Sequence, residues 1–443
     1  MRAVLQRCVT AGMVAGRALT GLGSHTPHRS IPNTFNTPGV VENAMFFKEI
    51  EHALRFRREA LERFERASLP GTSSEQAKEL LTFCVVGAGP TGVELAAELH
   101  DMVRQDVARL FPPKLLEYVS INIIDLQDFV LSSYDRRIAE YATKQFKRQG
   151  INLYLGCGVK AVEPGMLLLS VKKTGEELRI PFGLCVWCTG IKMNPLCEQL
   201  IKDLPAGSQP NIRSLTTCAS LRVKGSGGTI FAMGDACTIE LNQAAPHAER
   251  ILASYTASFS PTTPAAAAAD AQEHHQVDRL DMVSLRSLLR VNAIEFPHLQ
   301  EAADRLDAEH FEAQAGSDGR VGVAELTALL NTADRGLRTL PATAQVAKQQ
   351  GEYLAALVNT LNIETLTDGE LPHFVYKHKG SLAYIGSDSA VADIPGFSIL
   401  KGILAGLVWK SFETVSQVSL RNQVLVFGDM LRSKVFGRDL SRV

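Results

Sequence analysis

The stretch "LTFCVVGAGPTGVELAAEL", residues 81–99, limits the possible folds of this chain more than any other. Apolar residues from Phe83 to Val86 run straight into Gly87-Ala-Gly89-Pro-Thr-Gly92, and a helical run from Val93 to Arg104 follows. Strand, Gly-rich turn and helix in that order open a dinucleotide-binding βαβ unit. Gly87 permits the tight turn, Gly89 lets a diphosphate approach the backbone, and Gly92 lets the helix pack close to the strand. The phosphates would sit at the helix N-terminus, where unpaired N–H groups and the dipole favour an anion. The following strand, Val119 to Ile124, ends in Asp125. An acid there accepts hydrogen bonds from the adenosine ribose and repels a 2′-phosphate.

A chain of 443 residues can bury a full core and divide into more than one domain. Its net charge of −1 and pI near 6.8 exclude a dominant nucleic-acid surface. The eight cysteines follow no disulfide or zinc rhythm. Cys185 and Cys188 are spaced C-x-x-C but lie in an apolar strand-like run, where residues three apart face opposite sides, so they are not expected to form a redox pair. The first 41 residues contain no acid and carry Arg2, Arg7, Arg17 and Arg29, which reads as an organelle transit peptide. No apolar run is long enough for a spanning helix.

Beyond the Gly-rich unit, "LCVWCTGIKMNP" breaks from a strand into Thr189-Gly190. "GTIFAMGDAC" predicts a strand from Thr229 to Met233 followed by Gly234-Asp235. Together with "PNTFNTPGVVENAMFFKEIEHALRFR", "LPATAQVAKQQGEYLA", "YKHKGSLAYIGSDSAVADIPG" and "VFGRDLSR", these segments resemble the type II NADH dehydrogenases. Those are single-chain, non-pumping NADH:quinone oxidoreductases. The resemblance implies an α/β, Rossmann-like fold with two dinucleotide-binding domains. It assigns Gly87, Gly89, Pro90, Thr91, Gly92, Asp125, Thr189 and Gly190 to NADH, with Glu94 beside the nicotinamide. Gly234, Asp235, Ala344 and Gln345 are assigned to FAD. Gln345 and Gln349, four apart on one helical face, are assigned to the flavin ring and the quinone pocket.

Members of that family begin with a βαβ unit whose own Gly-rich loop holds the FAD pyrophosphate. Here "PNTF" is preceded by residues in which Gly12, Gly16, Gly21 and Gly23 make no GxGxxG. The first FAD unit is therefore expected to be missing, and the chain alone is expected to be colourless and inactive. The expected organisation is a leader at 1–30, a connecting segment of the FAD domain at 31–75 and the NADH-binding domain at 76–195. Remaining FAD-domain strands follow at 196–240, an insertion at 241–336, a flavin- and quinone-proximal segment at 337–386, and membrane-anchoring helices at 387–443.

Within the insertion, "RLDMVSLRSLLR" (279–290) and "RVGVAELTALLN" (320–331) repeat 41 residues apart. Placing Gly319 at loop position 6 puts Val321 at 8 and Glu325 at 12, the spacing of an EF-hand. External family members carry an EF-hand insertion at this point. Gln314 and Gly316 occupy positions 1 and 3, leaving Asp318 and Glu325 as the loop's carboxylates, and in the first copy Asp278 and Ser284 fall at positions 6 and 12. The expectation is a paired EF-like helical module with no metal.

At the C-terminus, Leu400, Ile403, Leu404, Leu407, Val408, Val415 and Val418 form one apolar face, with Lys401, Lys410 and Glu413 elsewhere on the wheel. From residue 401 onward seven basic residues stand against three acids. Amphipathic, basic helices that cannot span suit monotopic attachment to an anionic inner-membrane surface. A homodimer interface or a respiratory partner is the competing use. The expected activity is transfer of electrons from NADH through FAD to ubiquinone or a related quinone at the mitochondrial inner membrane, with no nucleic-acid partner. The alternative is a non-catalytic relative acting as a nucleotide-binding or structural component.

Overall fold

A computed structural model describes residues 30–259, 279–394 and 399–440, apart from 212, 241, 242, 294, 297, 317, 318, 336, 338, 361–365, 367–369, 418 and 439. The leader, Asp278, Asp318 and Val418 lie outside the described residues.

A five-stranded, all-parallel sheet positions the site. Its order is Met45–Phe46, Leu184–Trp187, Thr82–Val86, Ser120–Asp125, Asn152–Leu155. Thr82–Val86 is buried along its whole length, as expected for a strand covered on both faces. From it the chain builds outward through Ser120–Asp125 to Asn152–Leu155, then returns to the other side at Leu184–Trp187. That return runs through an antiparallel three-stranded sheet, Cys157–Glu163, Met166–Val171 and Glu177–Pro181, in place of a helix. The direction of winding thus reverses next to the Gly-rich strand, where open α/β sheets place their ligand crevice.

Residues 45–67, within the connecting segment, pack on this same sheet. Met45–Phe46 forms its edge strand, and helix Ile50–Ala67 buries Phe56, Ala60 and Phe64 at four-residue spacing. Phe64 stacks on Phe83 at 5.9 Å between ring centroids. The other face of the sheet is sealed by Leu167, Leu169 and Ile180 of the antiparallel layer.

Helix Pro90–Met102 runs on through a π-turn at Val103–Val107 before ending at Leu110. It carries an antiparallel sheet of Ser381–Gly386, Ser389–Asp393 and Leu400–Gly402, whose Leu382, Ala383, Val391 and Ala392 join the main core. Two C-terminal helices follow, Ile403–Val415 and Leu420–Phe436.

The expected strand at Thr229–Met233 does not form. Its residues make two backbone bonds to a neighbouring segment, Val223 N–H to Ile230 O and Ala232 N–H to Leu221 O, around a single bridge from Arg222 to Phe231. Leu221 sits at φ +66°, a left-handed conformation that ends the ladder. The strand in this region is Cys237–Ile239, just past Gly234-Asp235, and it pairs in parallel with Leu215–Thr217.

The insertion folds around a core of its own that includes Leu285, Leu289, Phe296, Leu299, Leu326 and Leu330. Leu280 and Val321 exchange both backbone hydrogen bonds, at 2.8 and 2.9 Å. These are the two position-8 residues of the repeat, so the loops pair in the register deduced from the spacing. Glu325 accepts a hydrogen bond from Gly322 N at 2.9 Å.

Candidate functional site

The Gly-rich turn is shaped by three different demands on its glycines. Gly87 adopts φ +108°, and an added Cβ would sit 3.0 Å from Thr189 Cβ across the crevice. At Gly92 an added Cβ would lie 1.9 Å from Gly87 O, so only a bare Cα lets the helix start so close to the strand end. A Cβ at Gly89 would meet nothing within 4 Å. That glycine is exposed, and the open space over it is where a diphosphate would approach. Pro90 opens the helix at a position whose N–H has no intrahelical use, and it leaves the amides of Thr91 and Gly92 for an anion.

Asp125 locks this turn. Its Oδ2 accepts from Ala88 N at 2.6 Å and its Oδ1 from Gln127 N at 2.7 Å, while Gly87 N donates to Ile124 O at 2.8 Å. The carboxylate therefore fixes the loop, with lone pairs remaining on each oxygen for a ribose. On the facing side, Gly190 takes φ +71° and its carbonyl accepts from Asn33 N at 3.2 Å. Trp187 Nε1 donates to Asn33 O at 3.0 Å. Thr189-Gly190 is thereby held against Gly87 by a segment some 155 residues earlier in sequence. Two thiols of the sheet are held protonated: burial pushes Cys84 up to about 12 and Cys185 well above its ordinary value.

Glu94 does not open on the turn's free surface. It is 2% exposed and accepts from Tyr384 N at 3.2 Å, beneath the C-terminal sheet. One and two turns on, Glu98 and Asp101 are buried on the same face. Asp101 accepts from Tyr384 Oη at 2.5 Å and from Ser387 N at 2.9 Å. Burial and Asp101 raise the Tyr384 phenol well above its usual range, which keeps its donor proton in place. Arg438 ties the far end, reaching Glu98 at 3.2 Å and Asp106, inside the π-turn, at 2.9 Å. Of this row the sequence singles out Glu94 alone, although acids at helical spacing in "VELAAELHD" announce a polar seam on an apolar helix.

A second, smaller centre surrounds Gly234-Asp235. Gly234 takes φ +63°, and its N–H donates to Gln350 Oε1 at 2.6 Å. Asp235 Oδ2 accepts from Ser30 Oγ at 2.8 Å. Gln350, 2% exposed, is not among the glutamines the sequence points to, which are Gln345 and Gln349. Gln345 and Gln349 instead clamp helix Ala344–Thr360 to the extended segment after it. Gln345 Oε1 accepts from Lys379 N at 2.7 Å and its Nε2 donates to Gly380 O at 3.2 Å. Gln349 exchanges two bonds of 2.9 Å with Lys377 N and O. Ala344 stands half-buried at the helix start. Among the described residues, no three His, Cys, Asp or Glu side chains are grouped to hold a metal ion.

Comparison with known proteins agrees with this geometry. Residues 22–251 match the pyridine nucleotide-disulphide oxidoreductase family, and residues 378–439 match the NDH2 C-terminal domain. The chain is 35% identical to an external alternative NAD(P)H-ubiquinone oxidoreductase B1 of Solanum tuberosum mitochondria, over 93% of its own length and 70% of that protein. It is 36% identical to the Arabidopsis thaliana B4 protein over the same shares. Among solved structures, NDH2 of Plasmodium falciparum in complex with NADH superposes with a TM-score of 0.78 at 27% identity, covering 93% of this chain and 77% of that one. On these matches the chain belongs to the type II NADH:quinone oxidoreductase family.

Proposed function

We propose that this chain takes part in the oxidation of NADH by ubiquinone at the mitochondrial inner membrane, without proton pumping. The observation that carries the reading is the open turn at Gly89, backed by two free helix amides and locked by Asp125. The amides and the helix dipole hold the NADH pyrophosphate, and Asp125 accepts from the adenosine ribose while disfavouring a 2′-phosphate. Thr189-Gly190 walls the opposite side.

FAD supplies the hydride acceptor in this family. Gly234 and Asp235 suit its ribityl end: the left-handed glycine leaves the backbone uncovered, and among the described residues Asp235 Oδ1 has no hydrogen-bond partner, Ser30 engaging the other oxygen. Gln350 holds that turn in place. The sequence contains a single GxGxxG, and Asp125 commits it to NADH. Glu94 is assigned to the nicotinamide side as a buried carboxylate whose position Tyr384 fixes.

The C-terminal helices provide attachment. No helix of the described residues is long and apolar enough to cross a membrane. Yet Ile403, Leu404, Leu407, Val415, Val424, Phe427, Leu431 and Phe436 are exposed, a band far larger than a solvated surface carries singly. That band suits the hydrocarbon boundary of a bilayer, with the basic residues at headgroup level.

The test is NADH oxidation by the detergent-solubilised chain with a short-chain ubiquinone and FAD in excess. Quinone-dependent turnover that prefers NADH to NADPH, with the preference lost in Asp125→Asn, would establish the activity and overturn the expectation that the chain alone is colourless and inactive. NADH binding without turnover under those conditions would leave a nucleotide-binding component instead. The amides of Gln345 and Gln349, both engaged with backbone, favour that second reading.

A further inference from the structure

A cleft of about 1360 Å³ opens between the N-terminal half of helix Ile50–Ala67 and the two C-terminal helices. It is not lined by Gly87, Glu94, Asp125, Asp235, Gln345 or Gln349, so it is distinct from every residue assigned above to NADH, FAD or quinone. Seven of its lining residues are Arg or Lys and four are Asp or Glu. Most of those cations are committed: Lys410 and Lys434 share Asp388, Arg432 pairs with Asp429, and Arg438 pairs with Glu98 and Asp106. Arg55 and Arg58 are not; they are exposed on the cleft wall and make no ion pair or hydrogen bond among the described residues.

Two further observations define the chemistry of an occupant. Trp409, 3% exposed and stacked on Tyr384 at 5.0 Å, lines the cleft, and its indole N–H is buried without an acceptor. A buried donor left unmade is costly, so a ligand oxygen at that wall has a bond waiting for it. The remaining wall is apolar and open to the surface: Leu54, Leu407, Val415, Phe427 and Leu431 are all more than half-exposed or at half. Uncommitted guanidiniums at the rim, an orphan donor within and an apolar wall continuous with the attachment band match one kind of molecule.

We propose that the cleft binds a single anionic phospholipid. Its phosphate meets Arg55 and Arg58, its ester carbonyl accepts from Trp409 Nε1, and an acyl chain lies along the apolar wall. Guanidinium forks suit phosphate oxygens, and charge is what separates such a lipid from a zwitterionic one. This rests on the membrane reading above but asks more: a headgroup-selective site, not merely adhesion of an apolar face.

Native mass spectrometry tests it on the full chain in detergent micelles doped with phosphatidylcholine or phosphatidylglycerol, and sedimentation with vesicles of the same lipids runs alongside. Phosphatidylglycerol retained at one per chain, in preference to phosphatidylcholine, is expected. Arg55→Gln/Arg58→Gln should weaken that retention roughly thirtyfold, about a factor of five for each charge near a headgroup. Trp409→Phe, which removes the N–H and keeps a smaller aromatic ring against Tyr384, should lower it while leaving net charge alone. Arg421→Gln, on the outer helix, should leave the retained lipid unchanged. Equal retention of both lipids, indifference to the Arg55/Arg58 pair and to Trp409→Phe, displacement by inorganic phosphate, or stoichiometric displacement by a short-chain quinone would each overturn the proposal. Failure to sediment with any vesicle while the micelle-bound lipid persists would strike the attachment reading and spare the cleft.

Discussion

The turn at Gly87 and the turn at Gly234 are built to opposite plans. Both place a glycine of positive φ near a strand, with an aspartate close by. At Gly87 the supports are short-range within one βαβ unit, and the Thr91 and Gly92 amides have no intrahelical use. At Gly234 the amide is already taken by Gln350, 116 residues on, and the aspartate by Ser30, 205 residues back. One turn is complete wherever its unit folds. The other exists only when distant segments have converged on it.

The largest test of that contrast is Gly92→Ala. Its Cβ would have to displace Gly87 O, a backbone atom that cannot swing away, so the unit should lose about 2–3 kcal/mol and NADH binding with it. A melting temperature within a degree of the parent would show the helix start to be adjustable and the plan less rigid than described. Next comes Gln350→Ala, which strands the half-buried Gly234 N–H at a cost of about 1–2 kcal/mol. Gln349→Ala should cost under about 1 kcal/mol, because its backbone partners are exposed and can turn to water. If denaturant titration ranked these two the other way, the distant-support account of the second turn would fail.

Gly89→Ala separates binding from folding at the first turn. The position has φ −71° and open space, so stability should move by no more than about 0.5 kcal/mol. NADH affinity should nevertheless fall about tenfold as the methyl fills the approach to the diphosphate. The smallest effect concerns Asp388, whose carboxyl the hydrogen bonds from Lys410 and then Lys434 hold down at about 2. A depressed carboxylate contributes stability above its unfolded value near 3.8, and the contribution disappears as pH falls through about 2. The group is 41% exposed, so screening limits the effect to about 1 kcal/mol. Between pH 4 and 2 the parent should lose that increment relative to Asp388→Asn, and parallel pH–stability curves would remove the clamp from the account.

What the sequence disclosed follows the same division. The order of strand, glycine turn and helix at Gly87 could be read, because close packing there is set by neighbours in the chain, although the helix opens at Pro90 rather than Val93. The paired loops at Leu280 and Val321 could be read from a repeat. Gln350 could not, since three amides in "AQVAKQQ" look alike until the helix is docked and one of them points inward. The Thr229–Met233 segment failed for a related reason: its composition is strand-like, but Leu221 on its partner ends the ladder after one bridge. On the C-terminal helix, the apolar stripe from Ile403 to Val415 faces outward, while Ala405, Gly406, Trp409 and Glu413 face in. Small residues made close approach possible there: an added Cβ at Gly406 would lie 2.0 Å from Asp388 O.

The insertion's private core has a consequence for how this molecule comes apart. Its buried leucines belong to a cluster separate from that of the nucleotide sheet, so the chain contains two masses whose melting need not be simultaneous. Calorimetry should then record a van't Hoff enthalpy smaller than the heat absorbed, and hydrogen exchange should release the amides of Leu285–Leu330 as a block of their own. A perturbation felt by one block and not the other acquires a signature: it shifts a single shoulder of the endotherm. The fold thus carries its own internal reference, against which strain in the nucleotide unit can be read.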